Sequence, residues 1–442
     1  MPDFIVIGAG ISGLTAAHKL LQAGKDVIVL ESSANAGGKI ITERIDGYLL
    51  EAGPNSLRIE NQETVDLIEE AGLANRELEA SPNAKKRFIL KNGQWVKIPA
   101  GTSEAISTPL LSIAGKLRVF LDPFVPKTNL NDESASSFIQ RRLGKEVFDY
   151  AADPFISGIY AGDPHKLSIR YAFPKMWDAE QKHGSLIKGL LQGRKRHSKD
   201  QRPRVISFPD GLSELTNAIK SYLSDRLQLN TGVIHIGKSA NKFSIYTSSG
   251  NFQSSQIIFA LPAYHAAMLT QFIAPDLSRD LLAIDYTPVA VAYLGYRQDQ
   301  FLNMPEGFGG LIPSKENREI LGIIFSSSNF PNRAPEGHLL LAVIMGGASH
   351  SEVAKLSNEN ILDVVTSEVN ELLQPKGMPV FQHVKLWKQA IPQYNVGYGE
   401  ILQAISKAEK ENPGLHFIGN YRGGISVGAC IKNATELANR LV

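Results

Sequence analysis

The sequence predicts an α/β fold joined to an α+β portion and interrupted by a helical insert. Three observations predict it. The apolar run Phe4–Ile7 passes through Gly8, Gly10 and Gly13 into a helix-like stretch from Ser12 to Ala23. The same strand, glycine turn and helix order returns at Leu415–Ile418, Gly419–Gly424 and a final segment with Ile431, Ala434, Leu437, Ala438 and Leu441 on one face. Between about residues 101 and 203 the strand signals fade and helical periodicity replaces them.

A chain of 442 residues is too long for one compact core, so two or three domains are expected. The net charge of +2 gives no reason to expect nucleic acid as a partner. The single cysteine, Cys430, excludes an internal disulfide and any multi-cysteine metal cluster, and no metal-ligating set is read. Its place inside the final helix reads as a small buried hydrophobe rather than a covalent tether. The first strand begins with no secretory pattern ahead of it, and no apolar run reaches the roughly 20 residues that span a bilayer. A cytoplasmic protein, soluble or peripheral to a membrane, is the expectation.

The elements follow in order. After the first strand and helix, Asp26–Leu30 reads as a second strand and Gln62–Ala71 as a helix. In the insert, Leu110–Leu121, Phe138–Tyr150 and Ser185–Leu191 have helical spacing. Strands resume near Val205 and continue at Ile234–Ile236, Phe243–Thr247 and Gln256–Ala260, with Ser249, Gly250 and Asn251 as turn residues. Residues 286–298 and 320–347 are β-rich, and Asn358–Leu373 carries Ile361, Leu362, Val365, Val369 and Leu372 at helical spacing. A mixed sheet with helices on one face fits that part. The expected division is a nucleotide-binding domain of 1–80, 204–268 and 400–442, a substrate domain of 81–100 and 269–399, and the insert, 101–203.

The first glycines have the G-x-G-x-x-G spacing of a Rossmann-like dinucleotide site. Gly8 allows the tight turn, Gly10 lets backbone approach a pyrophosphate, and Gly13 lets helix pack on strand. The free N–H groups and dipole of the helix start then face the anion. Glu31, about twenty residues into the unit, can accept hydrogen bonds from ribose hydroxyls and favours an unphosphorylated ribose. FAD or NAD would satisfy this much. Gly37, Gly38 and Lys39 decide for a flavin, because a second close backbone approach followed by a cation has no use in a site for NAD alone.

With both glycine signatures present, the chain resembles the FAD-linked superfamily of monoamine oxidases, phytoene desaturases and protoporphyrinogen oxidases. Four stretches are similar to the oxygen-dependent protoporphyrinogen/coproporphyrinogen oxidases within it. They are Asp153–Pro164 with Leu167 and Ser168; Phe325–Ser327 with Phe330, Pro331, Arg333, Ala334 and Pro335; Trp387 with Ala390–Tyr394 and Gly397; and Gly419–Val427. The resemblance implies a Rossmann-like FAD-binding domain and oxidation of a porphyrinogen to a porphyrin, with O2 as acceptor and peroxide as by-product. It implies an apolar cavity with a cation or two for the carboxylates and no catalytic acid–base triad. Hand-off to a ferrochelatase, peripheral contact with the cytoplasmic face of a membrane, and a monomer or homodimer come with it.

The resemblance assigns FAD to Gly8, Gly10, Ile11, Ser12, Gly13, Glu31, Ser32, Gly37, Gly38, Lys39, Gly53, Pro54, Asn55, Val233, Trp387, Gly419, Asn420, Gly424, Ile425 and Val427. It assigns substrate to Arg87, Gly158, Gly162, Leu311, Ile324 and Ile344. Arg87 would face a propionate, although Lys85, Lys86 and Arg87 also read as an exposed basic cluster; Leu311 and Ile324 would sandwich the ring, although both also read as sheet core. Lys39 stands where arginine is usual, and Ile344 where plant relatives carry an aromatic ring. Residues Pro109–Val125 could lie in a membrane interface or form core, and the basic run Arg194, Lys195, Arg196, Lys199, Arg202 and Arg204 could meet anionic lipid or solvent. Two rivals remain at this point. An amine oxidase would carry a lysine in Thr287–Tyr296, which has none; a carrier like the GDP dissociation inhibitors would lack the flavin-facing glycines.

Overall fold

The computed structural model describes residues 1–189, 203–239 and 242–442. A five-stranded parallel sheet runs in the order Leu227–Gln228, Val27–Leu30, Phe4–Ile7, Gln256–Phe259, Leu415–Phe417. Its central strand is apolar and buried at every position, as a strand covered on both faces must be. The helices Ile11–Gln22 and Val427–Leu441 pack on each other, so the two glycine turns open at the same edge of the sheet, beyond the carboxyl ends of their strands. The helix Gln62–Glu70 joins them and starts at Asn61, whose side chain accepts from the Thr64 N–H at 2.9 Å.

A seven-stranded mixed sheet runs in the order Phe381–Pro392, Tyr286–Arg297, His338–Gly346, Ile320–Phe325, Gly309–Leu311, Arg87–Lys91, Gln94–Lys97. Among the described residues its only parallel pair joins Gly309–Leu311 to Arg87–Lys91. The anticipated helix Asn358–Leu373 covers one face, placing Ile361, Val365 and Val369 against Ala292, Ile323 and Val343. The other face turns toward Tyr48 and Leu50 of the first unit.

Several local expectations need correction. The strand beginning at Arg204 does not join the nucleotide sheet; it pairs with Leu57–Ile59 and Leu78–Glu79 in a small antiparallel sheet. Gly250 and Asn251 lie inside a strand, because Thr247 pairs directly with Gly250 across a two-residue turn. In the insert, Leu110–Leu121 is helical only over Ile113–Phe120, where the Ser112 hydroxyl accepts from the Gly115 N–H and fixes the start. Phe138–Tyr150 is not one helix. Ala135–Leu143 stops at Gly144, whose φ of +92° no helix continues, and a wide turn at Phe148–Ala152 leads into the helix Asp153–Tyr160. Part of Ser185–Leu191 and the basic run from Arg194 to Arg202 lie outside the described residues.

The insert is anchored by a buried guanidinium. Arg142 meets Asp122 at 2.6 Å and Glu180 at 3.1 Å, with all three side chains fully buried. Removing Arg142 would leave the buried Asp122 carboxylate without a counter-charge, which costs far more than the intact pair contributes.

Candidate active site

The dinucleotide cradle is built by steric exclusion. Gly8 has φ +103° and ends its strand; a Cβ there would lie 2.6 Å from the Ala260 carbonyl oxygen. At Gly13 a Cβ would lie 1.9 Å from the Gly8 oxygen, so the helix can approach the strand this closely only with glycine. Gly37 donates its N–H to the Ala9 oxygen at 2.8 Å and bridges to Gly10, which brings the two glycine clusters together. A Cβ on Gly38 would come within 3.1 Å of the Gly10 Cα, so bare backbone meets bare backbone. Gly10 caps the helix without any side-chain bond, which leaves the first-turn N–H groups of Ile11, Ser12 and Gly13 for an anion.

Glu31 closes the far side. Its carboxylate accepts from the Ala9 N–H at 2.7 Å and the Ser33 N–H at 2.9 Å, with the Ser32 hydroxyl nearby at 3.3 Å. Thr231 donates its N–H to the Glu31 carbonyl at 2.7 Å, and Asn230 to that of Ser33, so the chain just before Val233 lies beside the acid. At the other glycine turn, Gly419, Gly423 and Gly424 all have positive φ, and the Tyr394 hydroxyl donates to the Asn420 oxygen while accepting from the Gly424 N–H. The helix bearing Val427 follows, with Ile425 half-buried before it. Cys430 is buried in that helix, its thiol pushed up to about 11 by burial, which fits packing rather than reactivity.

Lys39 connects the two sheets. Its ammonium donates to the carbonyl oxygens of Gln389, at 2.6 Å, and Ala390, and lies over the rings of Trp387 and Tyr286 at 5.6 and 5.7 Å. Gly53 packs on its backbone, where a Cβ would lie 1.9 Å from the Lys39 oxygen; Trp387 donates its indole N–H to the Ala52 oxygen at 2.5 Å. Pro54 and Asn55 continue this turn, half-buried. Burial pushes the Lys39 pKa down to about 8. A desolvated cation without a carboxylate suits a site that receives an anionic cofactor. In the cofactor-free protein the shift is a stability cost, present below pH 8 and relieved as pH rises toward the unfolded value near 10.5, since the unfolded chain binds the extra proton there. The stability of the apoprotein should therefore rise between about pH 8 and 10.5, and this rise should be missing from Lys39→Met in thermal unfolding.

The substrate-side residues meet on one face of the seven-stranded sheet. Leu311 and Ile344 both pair with Gly322, one from each flanking strand, and Ile324 lies two residues along. Ile324 is the one half-buried position of its strand and Ile344 the one between Leu340 and Gly346; each packs on the Tyr48–Leu50 cluster while leaving part of its side chain uncovered as wall. Gly322, which the sequence reading missed, leaves the centre of this wall flat; a Cβ there would strike the Gly310 oxygen at 2.6 Å. An isolated glycine in the apolar run Ile320–Phe325 was the available signal. Gly158 faces the wall from its helix, with Leu311 Cδ2 2.6 Å from its Cβ position. Gly162 instead packs on Gln393 and Leu167.

Arg87 sits at the margin of this wall, paired through Gly309 with Ile324. Its guanidinium lies over the Phe308 ring at 5.0 Å and has no side-chain hydrogen bond or ion pair among the described residues, whereas Lys86 beside it pairs with Glu306 at 3.7 Å. Burial, with Arg58 nearby, holds its pKa below the ordinary arginine value.

Against known proteins, a family profile described as flavin containing amine oxidoreductase matches residues 11–442. The chain belongs to this family. The family's flavin and the dinucleotide cradle together make the cofactor FAD and the protein an oxidoreductase. The mitochondrial protoporphyrinogen oxidase of Nicotiana tabacum is 34% identical over 475 residues, spanning 99% of this chain and 94% of the relative. The coproporphyrinogen III oxidase of Bacillus subtilis is 29% identical over 451 residues, spanning 97% and 95%. An Exiguobacterium protein assigned as a protoporphyrinogen oxidase has the same fold, with a TM-score of 0.83 at 24% identity over 99% of this chain and 98% of its own.

Proposed function

We propose that the protein oxidises a porphyrinogen to a porphyrin, protoporphyrinogen IX to protoporphyrin IX, in tetrapyrrole synthesis. The observation that carries this reading is the flat apolar wall of Leu311, Gly322, Ile324 and Ile344, with the Arg87 guanidinium, unpaired among the described residues, at its margin. A planar macrocycle with propionate arms is complementary to a flat wall ending in a cation. FAD, when bound, would supply the two-electron acceptor for each of three successive oxidations, with three O2 as terminal acceptor giving three peroxides. The chain's own contribution is to hold the ring against the wall, to exclude water and to anchor a carboxylate; no acid–base triad is needed for this. The strand Tyr286–Arg297 contains no lysine, which counts against amine oxidation. The Bacillus subtilis relative favours coproporphyrinogen as a second reading, and the higher identity to protoporphyrinogen oxidases favours the first.

Incubating the flavin-loaded protein with each porphyrinogen under oxygen, and following porphyrin fluorescence, tests the reading. Protoporphyrinogen should turn over faster. Equal or faster coproporphyrinogen turnover would select the second reading, and no fluorescence from either would remove both.

We further propose contact with a membrane through the insert. Among the described residues no helix is long and apolar enough to cross one. Ile113, Leu117, Phe120, Leu121 and Phe124 are all more than half exposed on the short Ile113–Phe120 helix and the turn after it, which favours a face lying in the bilayer interface. Leu117→Asp together with Phe124→Asp should abolish flotation with lipid vesicles while leaving oxidation of dispersed substrate intact.

A further inference from the structure

A second polar constellation lies beside the wall, on the same face of the sheet and bordered by Ile324, at the seam of the two sheets. Glu51, Asn55, Ile324, Asn329 and Arg333 line one small cavity. Glu51, Asn329 and Arg333 are nearly fully buried, at 4, 2 and 2% exposure. Among the described residues their hydrogen bonding is incomplete in a complementary way. Arg333 uses Nη2 on the Ser207 hydroxyl at 2.5 Å and comes only within 3.7 Å of Glu51, while its Nη1 has no protein partner. Asn329 donates its amide to the Phe308 oxygen at 2.9 Å, while its Oδ1 has no protein donor. Glu51 accepts from Thr42 and from the Leu212 N–H, with lone pairs to spare.

Leaving such groups unmatched in a dry interior costs about 1–3 kcal/mol each. The cavity gives about 10 Å³ of room to the centre of a water-sized sphere, the space that one water requires. One molecule would accept from Arg333 Nη1 and donate to Asn329 Oδ1 and a Glu51 oxygen, making the three bonds typical of a buried water. It would also link the guanidinium, through Nη1, to the Glu51 carboxylate, whose direct approach to Nη2 stays at 3.7 Å, too long for a hydrogen bond.

We propose that Glu51, Asn329 and Arg333 clasp one buried water, and that this clasp sets the distance between the Glu51–Asn55 turn on the cofactor side and Ile324 on the substrate side. The turn is fixed at its back by the Tyr293 hydroxyl on the Glu51 oxygen and the Trp387 indole on the Ala52 oxygen. Both bonds come from strands of the seven-stranded sheet, and the cavity adds a further meeting of the turn with that sheet, beside Ile324. Asn329 and Arg333 are thus positioning residues, a role that rests on the porphyrinogen reading, whereas the water site does not.

A high-resolution crystal structure of the FAD-loaded protein should show an ordered water within hydrogen-bond distance of Arg333 Nη1, Asn329 Oδ1 and Glu51. A dry cavity, or Arg333 Nη1 turned to another acceptor, overturns the proposal. Asn329→Leu removes the acceptor together with the amide bond to the Phe308 oxygen; its KM for the porphyrinogen should rise about fivefold or more, the worth of one or two hydrogen bonds, with kcat and flavin content unchanged. Asn329→Ser keeps a polar partner and the water, and its KM should stay within about twofold. Equal loss of kcat and KM in both variants, or no change in either, refutes the positioning role. Should Asn329→Leu fail to fold, the water density and the serine variant decide. If the parent protein oxidises no porphyrinogen, the functional reading falls and the density alone judges the water site.

Discussion

Arg87→Ala is expected to raise KM for the porphyrinogen by roughly 10- to 100-fold, the worth of a charge-assisted hydrogen bond, while kcat changes little. The split follows from where the guanidinium sits. It lies at the margin of the apolar wall, in line with Ile324 and over Phe308. An arm held there is bound equally in the ground and transition states, so its loss appears as uniform binding energy. Folding should not suffer, because the guanidinium has no acceptor to abandon among the described residues and its burial is itself a cost. Arg87→Lys should recover part of the affinity, since it restores charge without the two-pronged donor geometry. Steady-state kinetics with both porphyrinogens checks this. An unchanged KM in the alanine variant would remove Arg87 from the site, and a collapse of kcat at constant KM would make it part of the chemistry instead.

What the sequence made legible was largely what sterics write into residue type. Gly8, Gly13 and Gly53 each stand where a Cβ would collide with backbone, and Gly38 where it would be tight at 3.1 Å, so their spacing alone announces two closely approaching backbone turns. The helix Asn358–Leu373 was equally plain, because its apolar stripe repeats within the segment itself. Features made by distant partners were not readable. Lys39 was expected to face a cofactor; its carbonyl partners, Gln389 and Ala390, are 350 residues away. The flatness of the substrate wall depends on Gly322 having Leu311 and Ile344 for neighbours, a fact of strand register that no single strand contains. The break at Gly144 was missed for a different reason: the apolar spacing continues across it, and only the left-handed φ ends the helix.

Gly13→Ala and Gly10→Ala should both release the flavin, but for separable reasons. At Gly13 the added methyl lies 1.9 Å from the Gly8 oxygen and 3.0 Å from Ala260 Cβ. The oxygen belongs to backbone fixed by the central strand, so the helix itself must back away from the sheet, and overpacking of this kind costs about 1–3 kcal/mol. A lower melting temperature should therefore accompany the loss of the flavin's visible absorption. At Gly10 the methyl meets nothing closer than the Gly38 Cα at 4.0 Å, and the residue's φ of −71° suits alanine. The apoprotein should melt as the parent does, yet the methyl would occupy the gap between the two glycine turns, where only bare backbone now stands. Flavin loss without loss of stability would assign Gly10 to ligand approach, as Gly13 belongs to packing. If the Gly10 variant kept its flavin, the gap between Gly10 and Gly38 would be a packing detail and the pyrophosphate would have to be sought nearer the Gly424 turn.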